Sequence, residues 1–347
     1  MMNVIAEAFA RAAERHPDHP AVVAPEGDLS YAALADRAAR VSAALREGGA
    51  AAGMVVGIRL AAGADYVASL LAAASLGCVA LPLDTAWPAG RLRGVLREAR
   101  PALVVAAPAE AAELRALLAA PVPLVAVGGG GARLEAGGVP GDLPPLPEGA
   151  CYLVYTSGST GRPKGILGRA DSLLHFIRWE QEEFGLGPGT RVPFLAPTSF
   201  DVSLRDILAP LLCGGAVCVP GAEARANPVL LAGWLARTGA DHVHLVPSVG
   251  RLLVHEAREA LAASSVRQLV FAGEPLYGRD VRAVRRALGG GVGITNLYGP
   301  SETTLARVFL RLDGRSWDDA EIVPLGRPIP GTRVFVRAEG GREAAPG

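Results

Sequence analysis

Short apolar runs with no polar alternation recur along this chain, separated by helices of roughly three turns. Val55-Val56-Gly57-Ile58, Val79-Ala80-Leu81-Pro82-Leu83, Leu103 to Ala106 and Leu124 to Val127 are four of them. A strand that is apolar on both faces must be covered on both faces. A parallel sheet with helical crossovers provides that cover over many strands. The helices carry their own signals. Val4, Ile5, Ala8 and Phe9 mark residues 3–15. Ser30 caps a helix whose apolar positions Leu34, Ala38, Val41 and Leu45 recur at helical spacing, and Gly48-Gly49 stops it.

Residues 128–149 break the pattern. Gly128 to Gly131 is a glycine run, and Pro140, Pro144, Pro145 and Pro147 follow, which predicts a loop and the best internal boundary. The alternation then resumes. Cys151 to Val154, Val192 to Leu195, Ala216 to Val219, Val243 to Val246, Leu269 to Phe271 and Ile294 to Leu297 read as strands. Asp171 to Glu183 and Arg279 to Leu288 read as helices. Leu204, Ile207, Leu208 and Leu211 form one helical face, and Asn227-Pro228 caps another helix. This predicts an α/β chain with a first half at 1–127, a loop at 128–149 and a second half at 150–322. In the tail at 323–347, Arg333-Val334-Phe335-Val336 reads as a short strand and Glu339-Gly340-Gly341 as a hairpin turn. A β segment that has only begun at Gly347 suggests a truncated protein.

Composition narrows the function. The 347 residues carry 34 basic and 34 acidic side chains, which argues against a general nucleic-acid binder. No apolar run reaches membrane-span length, and the start lacks the regions of a signal peptide, so a cytoplasmic protein without a membrane partner is expected. Cys78, Cys151, Cys213 and Cys218 show no metal-ligand spacing and read as small buried hydrophobes. The histidines include no His-x-x-x-His pair, so no structural zinc is expected.

Four stretches carry chemistry. Tyr155-Thr156-Ser157-Gly158-Ser159-Thr160-Gly161-Arg162-Pro163-Lys164-Gly165 follows a buried strand. Its glycines let backbone N–H groups approach a ligand, its hydroxyls add donors, and Lys164 supplies a mobile charge, a combination suited to a polyphosphate. The common phosphate loop needs Gly-Lys-[Ser/Thr], and here Lys164 lies between Pro163 and Gly165. Asn296-Leu297-Tyr298-Gly299-Pro300-Ser301-Glu302-Thr303-Thr304 also follows a strand, where open α/β sheets bind ligands. Tyr298 offers a flat face to a base, Asn296 an amide to read one, and Glu302 a hard oxygen for magnesium. Ser199-Phe200-Asp201-Val202-Ser203-Leu204-Arg205 enters a helix that Asp201 could cap. Phe271-Ala272-Gly273-Glu274 is a strand running into a glycine turn.

Together these residues resemble the adenylate-forming superfamily, most closely the adenylation domains of nonribosomal peptide synthetases. Tyr155 to Gly165 matches the family's phosphate loop, Asn296 to Thr304 its adenine and magnesium motif, and Phe200-Asp201 its substrate motif. Leu29 to Leu34 and Gly77 to Asp84 look like two earlier family signatures. The resemblance covers essentially the whole chain. It implies the large N-terminal subdomain, built of two duplicated parallel α/β parts, with a β-barrel beginning near residue 323. The family's ribose-holding aspartate, hinge and C-terminal subdomain with its catalytic lysine would lie beyond this stretch.

The implied reaction is attack of an amino-acid carboxylate on the α-phosphorus of ATP, then transfer of the acyl group to a phosphopantetheine thiol on a peptidyl carrier domain. Lys164, Glu302 and Thr156 would carry the chemistry, with Mg2+ on Glu302. Thr156, Ser157, Gly158, Ser159, Thr160, Gly161, Lys164, Gly273, Glu274, Asn296, Tyr298, Gly299, Glu302 and Thr303 would hold the nucleotide. Asp201 would hold the α-ammonium, in a pocket of Asp201, Val202, Arg205, His244, Val270, Ala272, Leu297, Leu305 and Ala306. His244 could also be a satisfied core histidine, and Arg205 could pair with Asp201 one helical turn away, worth ~0.3–0.5 kcal/mol. If it does, a substrate with its own carboxylate would release Asp201, so a polar or acidic amino acid is expected. The alternatives are an acyl- or aryl-CoA ligase, which usually lacks an aspartate at Asp201, and a non-catalytic nucleotide-binding module.

Overall fold

The computed structural model describes residues 4–118, 121–135, 146–157, 163–312 and 314–337. Its first half runs α1 (Val4–Arg15), β1 (Pro20–Val23), β2 (Leu29–Ser30), α2 (Tyr31–Glu47), β3 (Val55–Arg59), α3 (Ala64–Ser75), β4 (Val79–Pro82), α4 (Ala89–Ala99), β5 (Leu103–Ala106), α5 (Ala111–Leu117), β6 (Leu124–Gly128) and β7 (Gly131–Glu135). The second half continues with β8 (Ala150–Ser157), β9 (Pro163–Arg169), α6 (Ala170–Phe184), β10 (Arg191–Pro193), α7 (Val202–Leu211), β11 (Ala216–Cys218), α8 (Ala222–Ala226), α9 (Pro228–Thr238), β12 (His242–Leu245), α10 (Pro247–Glu256), α11 (Arg258–Ala262), β13 (Gln268–Phe271), α12 (Gly278–Leu288), β14 (Gly293–Tyr298), β15 (Val308–Arg311) and β16 (Arg327–Pro328).

The apolar runs form parallel sheets, as their lack of alternation requires. The largest sheet has seven strands in the order β7-β6-β5-β3-β4-β8-β9. Every residue of β3, β4 and β5 is buried. Its two edges are antiparallel hairpins, β6–β7 and β8–β9. A four-stranded sheet, β10-β11-β1-β2, joins β1 from the first half to β11 from the second. Two of the three sheets therefore draw strands from both sides of residues 128–149. Tyr31 ties the halves together again: its buried hydroxyl donates to the Gly215 carbonyl at 2.7 Å.

The third sheet, β12-β13-β14-β15-β16, lies wholly in the second half, parallel through β14 and antiparallel after it. One face buries Val243, Leu245, Leu269, Phe271 and Ile294 in one core. The other buries Val270, Leu297, Leu305, Ala306 and Phe309 in a second core. Burying each of the valine, leucine, isoleucine and phenylalanine side chains is worth about 1.5–3 kcal/mol. His244 is in register with Val270, so His242 and His244 share the second face, toward α6 and α7.

The helix caps agree with the sequence: Ser30 Oγ accepts from Ala33 N–H, and Asn227 Oδ1 from Val229 and Leu230 N–H. Burial pushes the Cys78, Cys151 and Cys218 thiols up to about 12 and Cys213 to about 11, which keeps them unreactive. Among the described residues no helix is long and apolar enough to cross a membrane.

Three local readings are corrected. The segment read as a loop from Gly128 contains β7, because Gly129 and Gly130 supply the left-handed turn, at φ 58° and 79°, that closes a hairpin. The motif read as a loop from Tyr155 to Gly165 is partly strand: Tyr155 to Ser157 belong to β8, and Pro163 to Gly165 to β9, which pairs back on β8. Among the described residues Arg333 to Val336 pairs with no strand, and Val334, Phe335 and Val336 are exposed. The turn expected at Glu339 to Gly341 lies outside the described residues.

Candidate active site

The β8–β9 hairpin places Thr156 directly opposite Lys164 and Ser157 opposite Pro163. Gly158, Ser159, Thr160, Gly161 and Arg162 join the two strands and lie outside the described residues. Lys164 is thus fixed at the base of the predicted polyphosphate loop, on an edge strand. A one-turn 3-10 helix, Ser301–Thr303, packs beside β9. It brings Glu302 Oε1 within 3.5 Å of Lys164 Nζ, with the two side chains 50% and 63% exposed. So open a pair at that distance contributes little to stability. What it provides is a lysine and a carboxylate from distant parts of the chain, side by side and accessible.

The loop carrying Glu302 folds back sharply. Gly299 cannot carry a Cβ, which would sit 2.2 Å from the Leu305 carbonyl oxygen. Thr304 and Leu305 take φ of 65° and 56°, the left-handed region that side chains normally avoid. Asp201 holds this strained turn. Its carboxylate accepts from Ser301 Oγ at 3.1 Å and from Leu305 N–H at 3.2 Å. Asp201 is buried and makes no cap to α7, so the helix-cap reading is corrected. Its side chain connects the expected ammonium site to the phosphate-side loop.

At the carboxyl ends of the adjacent parallel strands β13 and β14, Gly273 (φ 87°) turns the chain and Tyr298 is exposed. Thr303, further along that loop, is exposed, its hydroxyl donating to the Pro300 carbonyl at 2.9 Å. Two neighbours are already engaged. Glu274 accepts from Ser248 Oγ at 2.7 Å and Ser248 N–H at 2.9 Å, so its carboxylate caps α10. Asn296 is buried and donates through Nδ2 to the Pro324 carbonyl at 3.1 Å.

The pocket residues Val270, Leu297, Leu305 and Ala306 come together in one core, with Val202 and Ala272 packed against it. Beside them lies a buried charged cluster that the sequence revealed only in part. His244 Nδ1 lies 2.9 Å from Asp206 Oδ1, and its Nε2 lies 2.7 Å from Glu180 Oε1. His242 Nε2 lies 3.1 Å from His244 Nε2. Arg205 Nη2 donates to Asp206 Oδ1 at 3.4 Å. The expected Arg205–Asp201 pairing is therefore corrected. Arg205 is neutralised by Asp206 and by nearby Glu180, while Asp201 bonds to the Ser301–Leu305 turn.

Burial opposes charge throughout this cluster. Burial pushes the Glu180 carboxyl up, but His244, His242 and Arg205 outweigh it and hold it well below its ordinary range. Burial and Arg205 push His244 down, and Glu180 with Asp206 reverses that, so it is raised. His242 is lowered, chiefly by burial. Sequence reasoning passed over Glu180, Asp206 and His242. A signal existed: Glu180 continues the apolar face of α6 set by Leu173, Phe176 and Ile177, where a carboxylate must find buried partners.

The chain is similar to known proteins over most of its length. The AMP-binding enzyme family matches residues 9–347. The L-proline to L-prolyl-carrier protein ligase of Streptomyces coelicolor is 32% identical over 348 residues, covering 94% of this chain and 65% of that protein. The crystal structure of IdnL1 superposes with a TM-score of 0.86 at 30% identity, over 98% of this chain and 69% of that one. An AMPPNP-bound form of the nonribosomal peptide synthetase FmoA3 gives a TM-score of 0.82 at 28% identity, over 96% of this chain and 35% of that one. The chain spans between 4% and 65% of the first three curated relatives it matches.

Proposed function

Because this chain belongs to the AMP-binding enzyme family, we propose that it activates an amino acid as its aminoacyl adenylate for loading onto a phosphopantetheine carrier. One observation carries the reading. Asp201 is bonded to both sides of the turn that presents Glu302, and Glu302 lies against Lys164. An anchor for an α-ammonium and the charges for a polyphosphate are thereby built on one support.

A substrate carboxylate oxygen forms a bond to the α-phosphorus of ATP, the bond from that phosphorus to the bridging oxygen breaks, and pyrophosphate leaves with the electron pair. Such transfer depends on positioning and charge neutralisation. Lys164 and the loop's N–H and hydroxyl groups would pair with phosphate oxygens, and Tyr298 would stack on the base. Asp201 would accept hydrogen bonds from the α-ammonium and fix the carboxylate for in-line approach. Glu302 fits a magnesium ligand, being an accessible hard-oxygen carboxylate at the phosphate side of the site; the ion would neutralise phosphate charge there. An ATP-analogue-bound structural relative supports ATP as the co-substrate.

The side-chain preference changes in its rationale. An acidic substrate was expected to relieve Arg205, but Asp206 and Glu180 already do so. What remains are buried polar atoms without a partner, Arg205 Nε and Glu180 Oε2 among them. These favour a substrate side chain that forms hydrogen bonds rather than one chosen for its charge. The test is amino-acid-dependent exchange of pyrophosphate into ATP, screened over the common amino acids with simple fatty and aromatic acids alongside. Exchange driven by a polar amino acid and lost in Asp201→Ala supports the reading. Exchange driven by fatty or aromatic acids, and indifferent to Asp201, points to an acyl- or aryl-CoA ligase.

A further inference from the structure

Glu180, His242 and His244 bring three possible ligand atoms together in the interior. His244 Nε2 lies 2.7 Å from Glu180 Oε1 and 3.1 Å from His242 Nε2, and the third side, His242 Nε2 to Glu180 Oε1, measures 3.6 Å. A tetrahedral zinc-class ion, with bonds of about 2.0–2.1 Å, holds its donors about 3.3–3.4 Å apart. We propose that Glu180, His242 and His244 form a binding site for a divalent d-block cation of the zinc class, with Asp206 orienting His244 from outside.

Protons satisfy this triangle poorly. The Nε2–H of His244 serves the short contact to Glu180, and His242 Nε2 then faces a nitrogen whose proton points elsewhere. If His242 instead donates to His244, the contact between His244 and Glu180 has no hydrogen. A cation accepts all three lone pairs at once. One further observation points the same way. Asp206 Oδ1 lies 2.9 Å from His244 Nδ1, the carboxylate–histidine pairing that fixes a ligating tautomer.

The ligand types suit such an ion: two imidazoles and one carboxylate leave a fourth position open, as in catalytic rather than closed structural zinc sites. With neutral imidazoles, the ion and Arg205 exceed Glu180 and Asp206 by one positive charge. A water at the fourth position that ionises to hydroxide would remove that excess. The absence of His-x-x-x-His counts only against a ligand pair on one helix. On a strand, His-x-His puts both rings on one face, and Glu180 arrives from α6. The ion site shares His244 with the expected substrate pocket; ion binding itself does not depend on the proposed adenylation, while its bearing on substrate choice, through Arg205 and His244, rests on that reading.

The test is a titration of the chelator-treated chain with Co2+ at neutral pH, followed by visible absorption and calorimetry. One equivalent should bind with the intense bands of a four-coordinate site, and Zn2+ should displace it. His242→Ala and Glu180→Gln should each weaken binding more than ~100-fold, and Asp206→Asn by ~10–100-fold, the range for losing an outer partner. His255→Ala, at an exposed histidine, should leave it unchanged. Wild-type protein that takes up no Co2+ at micromolar concentration, or shows only weak six-coordinate bands, overturns the proposal whatever the variants do. Unaltered binding in folded Glu180→Gln or His242→Ala overturns it equally.

Discussion

Lys164–Glu302 and the Arg205–Asp206–His244–Glu180 cluster are both built from opposite charges, yet they do different things. The first is open to water, loose at 3.5 Å, and contributes at most about 1 kcal/mol. Its charges are free to exchange partners, so they can meet a polyphosphate. The second is almost fully buried, where desolvation makes every charge costly alone and binding among the members obligatory. Its charges are committed to one another. A sequence shows the same residue types in both places; exposure decides which set is open to water and which set is paired inside the fold.

Ranked by effect on stability, four substitutions or conditions would break or sharpen that contrast. Glu180→Ala strands His244 and Arg205 in the interior and should destabilise by about 3–5 kcal/mol, read as the denaturant midpoint. A shift below about 1 kcal/mol would mean that the cluster is not a coupled unit. Asp201→Ala strands the buried Leu305 N–H, at about 1–3 kcal/mol, and frees the half-buried Ser301 hydroxyl, which water can partly satisfy. It should weaken ATP binding as well as amino-acid binding, because the same turn carries Glu302. Intact ATP affinity with lost amino-acid affinity would separate the two sites.

The third concerns pH, in chelator-treated protein. His244 has a folded pKa raised above its ordinary 6.5. Its contribution is fully present below 6.5 and is lost as pH rises through the folded value. His242 is lowered from 6.5, so its contribution falls as pH drops below 6.5. Wild type minus His244→Gln, measured by denaturant titration across this range, should show a stability difference that shrinks above pH 6.5. A flat difference would mean that His244 titrates alike in the folded and unfolded chain, and one that grows as pH rises toward 6.5 would place it neutral in the fold.

The smallest stability change belongs to Lys164→Met, within about 1 kcal/mol of wild type. Pyrophosphate exchange should nevertheless fall by about 10²–10³, the usual loss when a charge-stabilising group is removed. A stability loss larger than the activity loss would invert the contrast between the two regions.

The motif at Tyr155 to Gly165, Tyr298 to Glu302 and Asp201 stand out in the sequence because the chemistry expected of them is local. Glycines, hydroxyls and a lysine after a buried strand can be read in ten residues. So could the strands and helices, since burial on two faces and helical spacing leave direct marks in the order of residues. The Gly129-Gly130 hairpin and strand β9 were harder to see. Glycines that permit a turn look the same as glycines in a loop until a partner strand is in place.

The sequence by itself determined most of the local elements, the parallel sheet class and the list of residues expected to meet a phosphate. The tertiary structure decided how those residues pair. Asp201 meets Ser301 and Leu305 rather than Arg205, and Arg205 meets Asp206. Glu180, from another helix, closes on two histidines of β12. The physical reason is that a charge's partner in an interior is chosen by where packing of the apolar faces leaves it. That packing is a property of the whole chain, and no spacing along the sequence records it.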